Sequence, residues 1–377
     1  MICAASGKCM TEKNHGAGYH SPGKSEEYKR ACYEACEKAM ALIEECKSSL
    51  EAVTAAVAVL EDSPCTNAGI GSCLTLEGSV ECDASVMDGK TFGYGAVGAV
   101  AGIKNPVKVA HCLLREETKG LMPLGRIPPC FLAGKGAYEW AIRHGIEETP
   151  PDGLVTQSSL SAYRKYKQRL QAFERREDSQ AGCSIKKRKV EPAASDAHTV
   201  SDKLLDTVGA ICIDCHGNIS SAVSSGGLAM KHPGRVGQAA VYGCGCWALN
   251  ASASKPVSVA CSTTGCGEYL LKTMLARRCA EAVLQSENAT QSTSQVFKQD
   301  FIESPFLANV AQKHGGAIIV RCEENQAELV WAHTTDSMCI GYMSGGKGRP
   351  KTRISRLPES AIPGNSLALE GTVSNIS

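Results

Sequence analysis

Between residues 25 and 47, Tyr28, Cys32, Ala35, Met40, Ile43 and Cys46 recur at close to helical spacing behind Ser25. The pattern predicts an amphipathic helix with one buried stripe and a capping hydroxyl at its start. The stretch "LEAVTAAVAVLED" predicts a second helix. From Asn67 to Gly102 the rhythm changes to short apolar runs broken by glycine, "NAGIGSCLTLEGSVECDASVMDG" and then "GAVGAVAGI", which predicts strands joined by tight turns.

Residues 157 to 178 have helical capacity but are crowded with charge, and the following "SIKKRKVEPAASDAHTVSDK" is polar and rich in breakers. Together, about 157–206 is expected to be a charged helix and a mobile linker. The pattern then turns abruptly apolar: "TVGAICID", a turn at "CHGN", and "ISSAVSSGG" predict a β-hairpin that opens a new structural half at Thr207. Further strands are expected at 239–248, 315–321, 327–334 and 338–343, with helices near 267–285 and 298–312. The last thirty or so residues read as a polar tail with one final short strand. Helices cluster around groups of strands without regular βαβ alternation or internal repeat, so a layered α+β architecture is expected in place of a Rossmann-like sheet.

The chain has 377 residues, enough for one large domain or two. Its net charge of +1 points to no partner of either sign. No apolar run approaches a membrane span, and "MICAASGKCMTEKN" lacks the parts of a secretory signal, so an intracellular, soluble protein is expected. In that setting the 20 cysteines read as reduced, mostly buried thiols.

Cys212, Cys215 and His216 spell CxxCH, but with no secretory context the motif reads as a decoy for haem. Cys244 and Cys246 would share one strand face, yet no zinc spacing repeats, so no metal and no cofactor is expected. Lys186, Lys187, Arg188 and Lys189 form a basic cluster without interleaved aromatics, which disfavours nucleic acid and leaves a nuclear import signal in a mobile segment.

Candidate chemistry centres on the Asp206-Thr207 pair at the mouth of the hairpin. A threonine hydroxyl needs a base, and no GxSxG elbow supplies one. Were the Asp206-Thr207 bond cut, Thr207 would gain its own α-amine, whose ordinary pKa of roughly 7.7–8.0 suits a general base near neutral pH. The polar segment upstream would let the new ends separate.

"DTVGAICIDCHGN", "AVSSGGLAMKHPGRVGQAAVYGCGCWA" and "CSTTGCGE", with "HGAGYH", "EDSPCTNAGIGS" and "VECDASVMDG" upstream, resemble in order and spacing the asparaginase family of N-terminal nucleophile hydrolases. The Asp-Thr junction and the KHPGRVGQAA segment resemble its threonine-aspartase branch most. The resemblance implies a four-layer αββα sandwich that cleaves itself in cis. Residues 1–206 would become an α chain ending at Asp206, and 207–377 a β chain beginning with the nucleophile Thr207. Ser225 matches the hydroxyl that hydrogen-bonds the nucleophile, and Thr264 and Gly265 match the oxyanion-hole pair. Arg235, with Gly237 beside it, matches the grip on a substrate carboxylate. Gly18 and Asn67 match supporting loops.

Asparaginases carry an Asp three residues after this arginine, facing the ammonium of a free amino acid; this chain has Gln238. Without that anion a peptide nitrogen fits, so the favoured reading is a threonine endopeptidase that cuts proteins after Asp. The resemblance further implies nuclear transcription regulators as substrates, among them a trithorax-type histone methyltransferase and a general transcription factor. It also implies importin α as a carrier, residence in nucleus and cytoplasm, α/β heterodimers that pair further, and neither nucleic acid nor membrane as partner. Two other readings stay open: an asparaginase or isoaspartyl peptidase, and an inactive hydrolase scaffold that binds proteins. The second is raised by the N-terminus, where relatives place an apolar strand and this chain offers only "MICAASGKCMTEKN", an expected weak sheet edge.

Overall fold

Two sheets face each other, each covered by helices on its outer side. The computed structural model describes residues 2–6, 22–150, 152–181, 207–345 and 348–375. Asp206, Gly18 with the rest of the His15-to-Gly18 loop, and the basic cluster Lys186 to Lys189 lie outside the described residues.

In chain order the elements are β1 (Ile2–Ser6), α1 (Ser25–Glu44), α2 (Ser49–Asp62), β2 (Cys82–Asp88), β3 (Tyr94–Val100), α3 (Pro106–Glu117), β4 (Phe131–Ala133), α4 (Gly134–Arg143) and α5 (Gln157–Ala181). The second half brings β5 (Thr207–Ile213), β6 (Ile219–Ser225), β7 (Cys246–Leu249), β8 (Val257–Gly265), α6 (Gly267–Thr273), α7 (Leu275–Leu284) and α8 (Ala289–Gln295). It closes with β9 (Gly315–Glu323), β10 (Gln326–His333), β11 (Ser337–Ser344), β12 (Lys351–Arg356) and β13 (Ala368–Asn375). One sheet runs β12-β11-β1-β5-β6-β2-β3-β4 and the other β13-β10-β9-β8-β7.

The cores account for the layering. Small apolar residues of α1, α2 and α3, such as Ala35, Ala56 and Val107, pack with Val86, Val208 and Ala222 on the outer face of the first sheet. Ile211, Val223, Ala260, Ile318 and Trp331 fill the space between the sheets. Phe297, Phe301 and Cys279 seal the outer face of the second sheet. The result is an αββα sandwich, and β2, β3, β5 and β6 are buried at every residue because they are covered on both faces.

Local chemistry sets the helix starts. Ser48 and Glu51 form a capping box for α2, and Pro106 occupies the first turn of α3, where no N–H is needed. The hairpin turn between β5 and β6 is built by Asp214: its Oδ1 accepts from the N–H groups of His216 and Asn218, and its Oδ2 from Ser49 N at the start of α2. The CxxCH motif is thus a strand-and-turn feature. Cys212 is buried in β5 and Cys215 is exposed at the turn.

Three expectations need correction. The N-terminal strand is present as β1 and is interior: it pairs antiparallel with β11 on one side and β5 on the other. Its pairing groups are used on both sides, so it is no weak edge. The C-terminal segment is no tail, since β12 pairs along β11 and β13 along the whole of β10. The strand expected at 239–248 starts only at Cys246, because Gln238–Ala240 forms a single helical turn and Gly243 takes a positive φ of 75°. Cys244 and Cys246 consequently do not share a strand face. Cys244 Sγ points to the carbonyl oxygens of Tyr242 and Leu271, and Cys246 Sγ lies 3.4 Å from Ser85 Oγ.

Candidate active site

Sheet register brings the site together. Thr207, the first residue of β5, stands opposite Ser225, the last of β6, and Ser225 stands opposite Asp83 of β2. The hairpin that makes Thr207 the mouth of one strand therefore makes Ser225 the mouth of the next. β8 of the facing sheet ends at Thr264 and Gly265, and it packs across β5 and β6.

Thr207 is buried, and its hydroxyl both gives and receives. Thr207 Oγ1 donates to Ser225 Oγ at 3.2 Å and accepts from Gln238 Nε2 at 2.9 Å. Its backbone N donates to Thr264 Oγ1 at 3.3 Å. Gly265 has φ of +136° and no room for a side chain, since a Cβ would sit 2.6 Å from His314 O.

The turn after Ser225 is fixed by Asn67. Asn67 Nδ2 donates to Gly227 O, Asn67 Oδ1 accepts from Cys73 N, and Gly226 N donates to Asn67 O. Gly227 N then donates to Ser225 Oγ at 3.1 Å, orienting the hydroxyl that receives the proton of Thr207.

Arg235 lies beside this turn in a different state from the one expected. Its Nε and Nη2 donate to the two carboxylate oxygens of Glu268, at 2.8 and 2.7 Å. A two-pronged grip on a substrate carboxylate through those atoms is therefore not available while Glu268 is in place, and Nη1 is the nitrogen left over. Gly237 matters for the same side chain: a Cβ on Gly237 would come within 2.8 Å of Arg235 Nη1, and Gly237 N donates to Asp83 Oδ2.

Charges alternate through the site. Burial pushes the Asp83 carboxyl up from its ordinary range, while Lys231, the N–H groups of Ala99 and Gly237, and Arg235 pull against that rise. Burial also pushes Glu268 up, but its bonds to Arg235 and the guanidinium charge outweigh this, and its carboxyl ends below the ordinary value. Among the described residues no group of three or more His, Cys, Asp or Glu side chains could hold a metal ion.

The structure thus gathers Thr207, Ser225, Thr264, Gly265, Arg235, Gly237 and Asn67 around one point. The sequence alone assigns no roles to Glu268, Asp83 or Lys231, and shows Gln238 only as a missing anion. Each lies inside a segment that carried the family resemblance, so the signal was present and only its geometry was not.

The architecture is that of the N-terminal nucleophile hydrolases. The asparaginase family profile matches residues 13–352, and the chain belongs to the asparaginase family. It is similar to the isoaspartyl peptidase/L-asparaginase of Homo sapiens, 38% identical over 91% of this chain and 97% of that protein. It is also similar to that of Rattus norvegicus, 32% identical over 91% of this chain and 90% of the relative. The isoaspartyl peptidase of Salmonella typhimurium is 35% identical over 66% of this chain and 69% of its own length. Among the described residues no helix is long and apolar enough to cross a membrane.

Proposed function

We propose that the chain is an N-terminal threonine hydrolase of the threonine-aspartase kind, which cuts its own Asp206-Thr207 bond and then cuts other proteins after Asp. Thr207 is the nucleophile. The cut gives residues 1–206 and 207–377 as α and β chains of one domain, and the new amine of Thr207 removes the proton from its own hydroxyl. Ser225 orients that hydroxyl, while the Thr264 hydroxyl and Gly265 N–H stabilise the tetrahedral oxyanion. Arg235 draws the substrate's carboxylate to one side of Thr207.

The observation that carries this choice of substrate is the contact between Gln238 and Thr207. Where a free amino acid would need an anion for its ammonium, this chain places a neutral amide 2.9 Å from the hydroxyl oxygen. The two carboxylates nearest Arg235 are committed: Asp83 to two backbone N–H groups and Glu268 to the guanidinium. An incoming ammonium would be buried unpaired, which is costly, whereas a peptide nitrogen carries no charge to bury.

The relatives favour a second reading, hydrolysis of isoaspartyl peptides or asparagine, because that is what their names describe. Under it Arg235 would hold an α-carboxylate and Thr207 would attack the side-chain carbonyl. Purified, self-cleaved protein assayed against a peptide with a central Asp, a β-aspartyl dipeptide and free asparagine separates the two. Cleavage of the peptide after Asp supports the first reading, and turnover of only the small substrates replaces it with the second.

The proposal extends to the setting: nuclear and cytoplasmic residence through Lys186 to Lys189 and importin α, nuclear transcription regulators as substrates, and α/β units that pair further. Replacing the four basic residues by alanine and following a tagged full chain by microscopy tests the first of these; unchanged nuclear entry counts against it.

A further inference from the structure

A lysine is buried beside Arg235. Lys231 exposes only 4% of its surface, and an ammonium out of water needs partners for its charge and its three donors. Among the described residues its Nζ makes one hydrogen bond, 2.7 Å to the backbone carbonyl oxygen of Glu81. Asp83 feels its charge, but both Asp83 oxygens already accept from Ala99 N and Gly237 N.

Gly227 marks where the spare donors converge. A Cβ on Gly227 would lie 3.0 Å from Arg235 Nη1 and 3.1 Å from Lys231 Nζ. The space beside this glycine is therefore bounded by two cationic nitrogens from different residues. Glu268 holds the other two nitrogens of Arg235, so Nη1 is the one turned to this space. Gly227 also donates to Ser225 Oγ, which accepts from the Thr207 hydroxyl. Two cations thus stand one hydrogen-bonded turn away from Thr207.

We propose that Lys231 Nζ and Arg235 Nη1 together receive the substrate's carboxylate, and that Lys231 is a second specificity-determining residue. Each cation meets one carboxylate oxygen, since the side-on donor pair of Arg235, Nε and Nη2, is engaged by Glu268. A neutral isostere such as Asn leaves Lys231 and Nη1 buried without an anion, and the site rejects it for that reason. Gly227 has a positive φ of 69°, which by itself favours glycine, and a side chain there would also fill the space the carboxylate takes. The inference rests on the hydrolase reading, but the carboxylate is the side chain of Asp in a peptide or the α-carboxylate of a β-aspartyl dipeptide, and the assay tells them apart.

The test uses the full chain with Lys231→Met and Lys231→Gln, the second keeping a donor for Glu81 O, and Lys231→Arg as the conservative variant. Self-cleaved fraction is counted by intact mass and folding by thermal melting. Rates per cleaved chain are then measured on a peptide cut after Asp, its Asn counterpart, a β-aspartyl dipeptide and free asparagine. For the acidic substrate that the wild type turns over, Lys231→Gln and Lys231→Met should raise KM roughly tenfold to a hundredfold with little change in kcat, the usual scale for losing a charged hydrogen bond. The preference for Asp over Asn should fall in step, and Lys231→Arg should recover part of it. An active wild type beside folded, cleaved Lys231→Gln protein of unchanged KM and preference overturns the subsite. A wild type that turns over neither acidic substrate nor free asparagine overturns the hydrolase reading and the subsite with it.

Discussion

Gln238 Nε2 donates to the hydroxyl oxygen of Thr207 at 2.9 Å, so the residue on which the proposed choice of substrate turns touches the candidate nucleophile itself. The same hydroxyl donates onward to Ser225. With one lone pair engaged by an amide and its proton directed at Ser225, the Thr207 oxygen is held in a single orientation before any substrate arrives.

Gln238→Asp should therefore change both reactivity and choice. An anion beside Thr207 provides the counter-ion that an ammonium needs, so hydrolysis of a β-aspartyl dipeptide should rise and cleavage of an Asp-containing peptide should fall by about tenfold or more. Steady-state rates on the two substrates check this; a parallel fall in both would mean that Gln238 only positions Thr207.

Ser225→Ala removes the acceptor for the Thr207 proton and, at the same strand end, the acceptor for Gly227 N. Self-cleavage, followed as disappearance of the intact chain by mass spectrometry, should slow by about a hundredfold, on the scale of losing one positioned group. Ser225→Thr should retain much of the rate.

Glu268→Gln loses the charge that fixes Arg235. The guanidinium should become less well placed, raising KM for an acidic peptide about tenfold with kcat changed far less. Because the folded Glu268 carboxyl sits below its ordinary value, its contribution to stability is present above the unfolded pKa and lost as pH falls through the folded one. Wild-type melting should thus decline more than that of Glu268→Gln as acid is added below about pH 4.5.

Glu61 gives a pH effect of the opposite sign. It is fully buried, its Oε1 accepts from Val107 N at the start of α3, and burial pushes its carboxyl up to about 8. A carboxyl raised on folding stabilises below its unfolded pKa, and that contribution drains away as pH rises through the folded value. Wild-type melting temperature should fall between about pH 5 and pH 9, and Glu61→Gln, which keeps an acceptor for Val107, should flatten that slope.

The hairpin at Thr207, α1, α2 and the charged α5 were legible because each carries its own periodicity or turn chemistry. β1 was not: in "ICAAS" only Ile2 is β-branched and the rest are small, and its strand character comes from being paired on both sides by β11 and β5. β12 was hidden by the polar alternation of a sheet edge, where "KTRISR" faces water on one side. Lys231 and Glu268 escaped assignment because a charged residue near glycine ordinarily belongs to a solvated loop. Only the fold shows that Lys231 is buried, with its Nζ on Glu81 O, and that Glu268, at the start of α6, faces Arg235.

Intact mass and N-terminal sequencing of the purified chain, beside Thr207→Ala, test the central claim most directly. The account predicts that the wild type alone resolves into two chains, the second beginning with Thr207. A wild type that stays whole while folded, or a Thr207→Ala protein cut at the same bond, would contradict it.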